Sequence, residues 1–232
     1  MKTKTVLITG DIHGDFGQLN RIINKKKPDI VICCGDFGYW PGHPGFKEIK
    51  PGLSKIYWVP GNHERWDLLE EEYGRHGLNP IPMTVDNEFK NENIFYCPIG
   101  STLEINDKTY LFVGGADSID KAWRTTYVNW FPQEILNERD LDYIAATVEG
   151  KVDVVISHTC PISFDMKITN RYDKMGDPSR YILQKVLKEF KPEEWYFGHW
   201  HHYISNTRIE KCYWQGLDYP GHNNGAWWIW KN

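Results

Sequence analysis

Five short polar runs are spread along the chain, and most of them follow a short apolar segment typical of a β-strand. The runs are Gly10-Asp11-Ile12-His13-Gly14, Gly35-Asp36-Phe37-Gly38, Gly61-Asn62-His63-Glu64, Ser157-His158-Thr159-Cys160-Pro161 and Gly198-His199-Trp200-His201. Open α/β sheets place their sites at the carboxyl ends of strands, so these carboxylate, imidazole and amide groups are predicted to converge. The chain must therefore adopt a fold that brings several strand ends to one place.

Apolar periodicity predicts a parallel crossover unit at the start of the chain. Strands are predicted at residues 5–9, 29–34 and 55–59. Apolar residues at helical spacing predict a helix from Phe16 to about Lys26 between the first two strands, and a short helix is predicted around Trp66 to Tyr73. Residues 101–105 and 109–113 flank Asn106-Asp107, which indicates a tight turn between antiparallel strands. The sheet is therefore predicted to be mixed.

The second half of the chain continues the alternation of strands and helices. Pro132 is predicted to open a helix over about residues 133–146, and Asp177 with Pro178 forms the cap and first position of another helix. Strands are predicted at residues 152–156, 195–197, 203–209, 211–214 and 226–230. Residues 162–176 lack clear periodicity, and we interpret them as a lid over the site. Together these elements predict an α/β fold of two sheets with helices outside.

Composition and charge limit the class of protein. With 232 residues and 41% hydrophobic content, one domain over residues 1–232 is expected. The net charge of -4 gives no electrostatic reason to expect a nucleic-acid partner. No segment has the apolar length of a membrane span or a signal peptide, so a cytoplasmic location is expected. Five cysteines, an odd number, predict reduced thiols rather than a disulfide framework.

Residue spacing within the runs limits their geometry. Asp11 and His13 are separated by one residue, as are His199 and His201. In extended backbone both members of such a pair face the same way, so each pair is predicted to reach one ion.

At these positions the chain closely resembles the calcineurin-like metallophosphoesterase superfamily. That family's signature is D-x-H, G-D, G-N-H-D/E, a single H and G-H-x-H, and all five blocks occur here in order. The resemblance implies a four-layer α/β/β/α sandwich of two mixed sheets with a dinuclear metal centre. It also implies a ligand set: one ion held by Asp11, His13 and His201, a second held by Asn62, His158 and His199, and Asp36 as the bridge.

The activity implied by the resemblance is hydrolysis of phosphomonoesters or phosphodiesters. A hydroxide bound to the two metal ions would attack phosphorus, with Asp36 and His63 as the catalytic residues. His63, close to the ions but not coordinated, would protonate the leaving oxygen as general acid. A nuclease with the same metal centre and a non-catalytic metal-binding scaffold of this fold are the alternatives.

The donor set indicates which metals are expected. Imidazole, carboxylate and amide ligands without thiolate suit manganese, iron, zinc or nickel better than a magnesium-only site, and manganese is our first expectation. The carboxylates of Asp11 and Asp36 cancel only part of the charge of two divalent cations. The remaining charge favours hydroxide and a phosphate oxygen.

Two departures from family subgroups narrow the expected activity. The serine/threonine phosphatase branch usually has G-D-x-x-D-R-G as its middle motif, whereas this chain has Gly35-Asp36-Phe37-Gly38-Tyr39-Trp40-Pro41. Pro60 also stands where that branch has an arginine before G-N-H-E. A general metallophosphoesterase of bacterial or phage type is therefore expected rather than a dedicated protein phosphatase.

Four further residues are candidates for binding the substrate, namely Arg65, Arg124, Tyr39 and Trp40. The two aromatic rings can stack on a nucleobase or an aryl leaving group, or they can pack beneath their loop as core. The two guanidinium groups can bind phosphate oxygens, or they can form ordinary surface ion pairs. A small-molecule phosphoester is the expected substrate, with a nucleotide as one candidate, and the sequence predicts no oligomeric state.

Overall fold

Two mixed β-sheets form the centre of the molecule. The computed structural model describes residues 2–40, 47–85, 89–166, 176–222 and 225–231. The first sheet contains β1 (Val6–Thr9), β2 (Ile30–Cys33), β3 (Lys55–Trp58), β4 (Ile81–Val85), β5 (Phe89–Tyr96) and β12 (Trp228–Lys231). The second contains β6 (Thr102–Ile105), β7 (Lys108–Val113), β8 (Val154–Ser157), β9 (Glu194–Phe197), β10 (Ile204–Ile209) and β11 (Cys212–Gly216).

The strand order places parallel strands at the middle of each sheet. In the first sheet the order is β12-β1-β2-β3-β5-β4, with β1, β2, β3 and β5 parallel and both edge strands antiparallel. In the second it is β10-β11-β9-β8-β7-β6, with β11, β9, β8 and β7 parallel. The predicted crossover unit and mixed sheets are confirmed.

Successive residues of the central strands face different cores. In β1, Val6 and Ile8 belong to the core between the sheets, whereas Leu7 packs with Leu19 and Ile23 of α1 (Phe16–Lys26). Strands buried on both faces need apolar residues at nearly every position. This explains the short, uninterrupted apolar runs that precede the polar motifs.

Helices cover both outer faces. The helices α1 and α2 (Trp66–Tyr73) pack on the first sheet, for example through Leu69. The helices α3 (Glu138–Thr147) and α4 (Pro178–Phe190) pack on the second, through Ile144 and Val186. The result is the expected four-layer α/β/β/α sandwich.

The prediction that Pro132 opens a helix over residues 133–146 is wrong at its start. Pro132 begins only a 3₁₀ turn, Pro132–Glu134, and α3 starts after Asn137. Asn137 Oδ1 accepts from the Arg139 N–H at 3.0 Å, and Asp140 Oδ2 accepts from the Asn137 N–H at 2.8 Å. This capping box satisfies the free amides of a new helix end, so the helix begins there.

The structure also tests the predictions about the α4 cap and the cysteines. The cap of α4 is confirmed, because Asp177 Oδ1 accepts from the Ser179 N–H at 2.8 Å. All five cysteines are free, as predicted, and all five are buried. Within the predicted lid, residues 167–175 lie outside the described part of the chain. Across the described ranges, each helix is too short or too polar to cross a bilayer.

An ion-pair cluster fastens the two sheets at the edge opposite the polar motifs. Glu194 on β9 accepts from Lys108 on β7 at 2.8 Å and from Lys231 on β12 of the other sheet. Burial alone would raise the pKa of Glu194, but the hydrogen bonds from Lys108, Lys231 and Tyr196 lower it to about 2.

We expect this cluster to make stability depend on pH in the acid range. A depressed carboxyl pKa contributes stability above the unfolded value of about 4.5, and that stability is lost as the pH falls towards 2. Between pH 5 and pH 2.5, wild type should lose about 2 kcal/mol more unfolding free energy than Glu194→Gln, measured by urea denaturation. Glu193→Gln is the matched control, because the exposed Glu193 pairs only with Lys151 in the described structure. If the free energy of unfolding of wild type and of Glu194→Gln falls equally between pH 5 and pH 2.5, the prediction is wrong.

Candidate metal centre

The seven predicted ligands lie in loops that follow five strand ends. They are Asp11 after β1, with His13; Asp36 after β2; Asn62 after β3; His158 after β8; and His199 with His201 after β9. Parallel strands in each sheet bring these loops to one edge, where the two sheets meet. Both sheets therefore contribute to one site.

A first group of donor atoms is formed by Asp11, His13, Asp36 and His201. One ligand atom from each residue lies within 4.8 Å of all the others. His201 Nε2 is 3.1 Å from Asp11 Oδ2 and 2.9 Å from His13 Nε2. His13 Nε2 is 3.7 Å from Asp36 Oδ2. This spacing leaves room for one cation between two carboxylates and two imidazoles.

A second group is centred on the side-chain oxygen of Asn62. Asn62 Oδ1 lies 3.0 Å from His158 Nε2 and 2.9 Å from His199 Nδ1. Asn62 Nδ2 donates to Ser118 Oγ at 3.2 Å, so Oδ1 is the atom that faces the two imidazoles. His158 Nε2 is also 3.3 Å from Asp36 Oδ1.

Asp36 takes part in both groups. Its Oδ2 faces His13 of the first group, and its Oδ1 faces His158 of the second. The His63 N–H also donates to Asp36 Oδ1 at 2.9 Å, which holds the carboxylate in place. Burial alone would raise the pKa of Asp36, but the neighbouring imidazoles of His158, His63 and His13 keep that pKa well below its usual range. A buried carboxylate that stays charged can serve two cations at once.

The surroundings of His158 test whether the second group suits a metal ion. His158 Nδ1 lies 3.0 Å from the Cys34 carbonyl oxygen, so this nitrogen carries the proton. The Nε2 lone pair of the neutral ring then faces the oxygens of Asn62 and Asp36, an arrangement that requires a cation or a second proton. Burial alone would lower the pKa of His158, but Asp36, Asp11 and the Cys34 carbonyl raise it to about 10. The field that retains a proton on this ring would equally favour a divalent ion, so the donor set fits a metal.

The backbone at the histidine pairs is not extended, and that part of the spacing argument is wrong. His13, His199 and His201 have positive φ angles of 48°, 65° and 48°. Only Asp11 and His13 reach the same donor group, whereas His199 and His201 lie in different groups, so the prediction that each pair reaches one ion is wrong for the second pair. The chain turns sharply at these strand ends, and side chains do not alternate there as they would along a strand. Backbone N–H groups are turned inward as a result, and the His199 N–H donates to Asp11 Oδ1 and Oδ2 at 2.9 and 3.0 Å.

Two glycines permit the close packing of these loops. A Cβ atom at position 198 would overlap Asp11 Oδ1, and one at position 61 would overlap Asp36 Oδ1. Only glycine leaves space for a carboxylate this close to the backbone.

Glu64 has a structural role that the motif did not reveal. It is 1% exposed, and its carboxylate accepts from the Gly38 N–H at 2.9 Å and the Gly61 N–H at 2.5 Å. Burial and the charge of Asp36 raise the pKa of Glu64 to about 8. Glu64 ties the loop that carries Asp36 to the loop that carries Asn62. Its place at the end of the Gly61–Glu64 run was the only sequence signal.

His63 lies beside the donor groups rather than within them. Its ring is 5.1 Å from the His13 ring and nearly perpendicular to it. Arg124 Nη2 lies 3.1 Å from His63 Nε2, and Trp40 Nε1 donates to the His63 carbonyl at 2.8 Å. Burial lowers the pKa of His63, Asp36 opposes that shift and Arg124 reinforces it. Two of the predicted substrate-binding residues, Arg124 and Trp40, therefore contact His63. Arg124 also forms an ion pair, with its Nε 2.7 Å from Asp120 Oδ1.

The other two predicted substrate-binding residues are engaged within the fold. Tyr39 is 7% exposed, its ring stacks on Trp58, and its hydroxyl donates to Glu72 at 2.9 Å. Arg65 forms a two-point ion pair with Asp67 at 2.8 and 2.7 Å. Its guanidinium also lies over the ring of Trp40. These are the packing and ion-pair alternatives raised for the two residues.

Comparisons with known proteins identify the family and the fold. A family profile described as calcineurin-like phosphoesterase matches residues 4–203, and no curated protein matches the sequence. Phosphopantetheinyl hydrolase from Mycobacterium tuberculosis is similar over 100% of this chain and 97% of its own, with 14% identity and a TM-score of 0.54. GAP50, the anchor in the inner membrane complex of Plasmodium, is similar over 92% of this chain and 70% of its own, with 11% identity and a TM-score of 0.50. At such identities the likeness concerns the fold alone.

Proposed function

The chain belongs to the calcineurin-like phosphoesterase family, whose members hydrolyse phosphoric esters, and from this premise we propose that it hydrolyses small-molecule phosphoesters at a dinuclear metal centre. The observation that carries the proposal is the sharing of Asp36 between two separate groups of donor atoms. Asp11, His13 and His201 complete the site for one ion. Asn62, His158 and His199 complete the site for the other.

Manganese is the metal we propose, with iron, zinc and nickel as competitors. Imidazole, carboxylate and amide donors without a thiolate support this choice, because all five cysteines lie elsewhere in the core. Bound divalent ions would lower the pKa of a coordinated water and polarise a phosphoryl oxygen. The five free thiols also support our proposal of a cytoplasmic location.

His63 acts in this proposal on the leaving group. It is held in place by its own backbone contact with Asp36 and by Trp40, and it lies at the edge of the first donor group. From that position it supplies a proton or a hydrogen bond to the departing oxygen. Arg124, whose guanidinium faces His63, binds a phosphate oxygen of the substrate.

The surroundings of Arg124 support a substrate with an aromatic leaving group. Trp123 is 82% exposed and directly precedes Arg124, and Ile119 on the same loop is 45% exposed. The loop is anchored at the site, because Ser118 contacts Asn62 and Arg124 contacts His63. In this proposal the exposed Trp123, next in sequence to Arg124, stacks on a planar ring of the substrate, such as an aryl group or a nucleobase.

The test of the function is metal-dependent hydrolysis of p-nitrophenyl phosphate and bis-p-nitrophenyl phosphate. We expect chelated protein to be inactive and Mn²⁺ to restore release of p-nitrophenol, with two ions bound per chain by elemental analysis. Bound ions without hydrolysis of any phosphoester in a broad panel would instead support the scaffold alternative. The similarity in fold to GAP50, the anchor in the inner membrane complex of Plasmodium, supports that alternative. Selective hydrolysis of single- or double-stranded DNA would support the nuclease.

The role of Trp123 is tested by comparing substrates. Trp123→Ala should raise KM for phenyl phosphate about 10-fold and change KM for methyl phosphate by less than about twofold, because only the aryl ester loses a stacking partner. Trp123→Phe should remain close to wild type. The control is Leu53→Ala, a fully exposed residue just before β3 at the opposite sheet edge. Equal changes for both substrates would contradict the stacking role.

A further inference from the structure

A short segment after β11 packs against the first donor group. The ring of Tyr219 lies 4.5 Å from the ring of His201 and 6.0 Å from the ring of His13. This segment follows residue 203, where the family profile ends. The sequence motifs therefore gave no reason to connect Tyr219 with the site.

The ring of Tyr219 is supported from behind. It stacks on His222 at 5.1 Å with an angle of 10° between the two planes. His222 Nδ1 lies 2.7 Å from Asp218 Oδ2, and Asp218 Oδ1 accepts from the Tyr219 N–H at 2.8 Å. Asp218 is 0% exposed, so one buried carboxylate fixes both the backbone of Tyr219 and the ring behind it.

The same segment joins the two strands that carry the ligands of this group. The Leu217 N–H donates to the Phe197 carbonyl at 2.8 Å, at the end of β9. On the other side, a Cβ atom at Gly10 would overlap the Asp218 carbonyl oxygen, so the segment touches the chain just before Asp11. The position of Tyr219 is thus set by the two strand ends that also position Asp11 and His201.

His201 needs such support more than the other ligands. Like the other ligands it lies in a loop, but its side chain is 42% exposed, compared with 28% for His13, and those of Asp11 and His158 are fully buried. An imidazole ligand binds well only when its ring orientation is fixed by neighbouring groups. In the described structure, the contacts of the His201 ring are with Asp11, His13 and Tyr219. Asp11 and His13 are themselves donors, so Tyr219 is the neighbour left to orient the ring.

We propose that Asp218, Tyr219 and His222 form a positioning clasp that orients His201 for the ion held by Asp11, His13 and His201. Tyr219 acts through His201 and is a positioning residue. The inference rests on the proposed dinuclear centre.

The experiment is titration of the metal-free 232-residue chain with Mn²⁺, measured by isothermal titration calorimetry. Tyr219→Ala should weaken binding of one of the two ions by 10- to 100-fold and leave the other ion within about threefold of wild type. Tyr219→Phe, which keeps the ring, should bind both ions like wild type. His222→Ala should weaken the same ion as Tyr219→Ala, by a smaller factor. Tyr213→Ala, on the exposed face of β11, is the matched control and should change neither ion.

Several outcomes would overturn the clasp. The proposal is wrong if Tyr219→Ala and His222→Ala bind both ions with wild-type affinity. It is also wrong if Tyr219→Ala weakens the affinity for the two ions equally. If Tyr219→Phe loses as much affinity for the ion as Tyr219→Ala does, the effect belongs to the hydroxyl group and not to the ring. Circular dichroism of each variant shows that it is folded, and His222→Ala provides the test if Tyr219→Ala does not fold. If wild type binds two ions but hydrolyses no phosphoester, the proposed function fails while the affinity comparison still decides the clasp.

Discussion

Replacing Asp36 with asparagine is expected to reduce phosphoesterase activity by about 1,000-fold or more and to lower the metal content of the purified protein. Asp36 presents one oxygen to each donor group, so the substitution removes a charged ligand from both ions. A metal ion contributes several kcal/mol of transition-state stabilisation, and about 4 kcal/mol corresponds to about 1,000-fold in rate. The measurements are kcat/KM for p-nitrophenyl phosphate with Mn²⁺ and the number of ions per chain.

The control for this variant is Asp142→Asn, because Asp142 is exposed on α3. The control should retain both activity and metal. An Asp36→Asn protein that keeps two ions and more than about a tenth of the wild-type activity would refute the bridging role.

Replacing His63 with glutamine is expected to slow hydrolysis while leaving both ions bound. General acid catalysis is typically worth about 10²- to 10⁴-fold, so methyl phosphate, whose leaving oxygen is strongly basic, should be hydrolysed slower by that factor. The hydrolysis of p-nitrophenyl phosphate should slow much less, because its leaving oxygen needs little protonation. This dependence on the leaving group separates a proton donor from a metal ligand, whose loss slows both substrates alike.

His202→Gln is the matched control for His63. His202 is exposed and adjoins a proposed ligand, yet it belongs to neither donor group. Equal losses for the two substrates in His63→Gln, or loss of metal from that variant, would argue that His63 supports the site structurally.

Local sequence signals predicted the grouping of the polar motifs and most of the strands, although β4 and β5 were not predicted. Strand positions could be predicted because strands buried on both faces need consecutive apolar residues, as in β1 and β8. The grouping followed from the rule that parallel strands end at one edge. Four of the predicted ligands, Asp11, His13, Asp36 and His201, lie within 4.8 Å of one another.

Features that depend on distant contacts could not be predicted in this way. The sequence left open whether the aromatic residues after Asp36 bind substrate or pack as core, and in the structure Tyr39 packs against Trp58, whereas Trp123 is exposed. Tyr219 gains its place only when β11 returns beside β9. The left-handed turns at His13 and His201 likewise arise from backbone packing at the sheet edge, which side-chain alternation does not encode.

The division of the donor atoms between the sheets links catalysis to the thermal behaviour of the protein. Asp11, His13, Asp36 and Asn62 extend from the first sheet, and His158, His199 and His201 extend from the second. Each cation would therefore crosslink the two sheets of the sandwich. At a concentration of about 100 times its dissociation constant, one ion adds about 3 kcal/mol to the free energy of unfolding. Removing the ions with a chelator would weaken the contact between the two sheets at the proposed site. The melting temperature should therefore fall as metal is removed, and it can be used to measure metal occupancy.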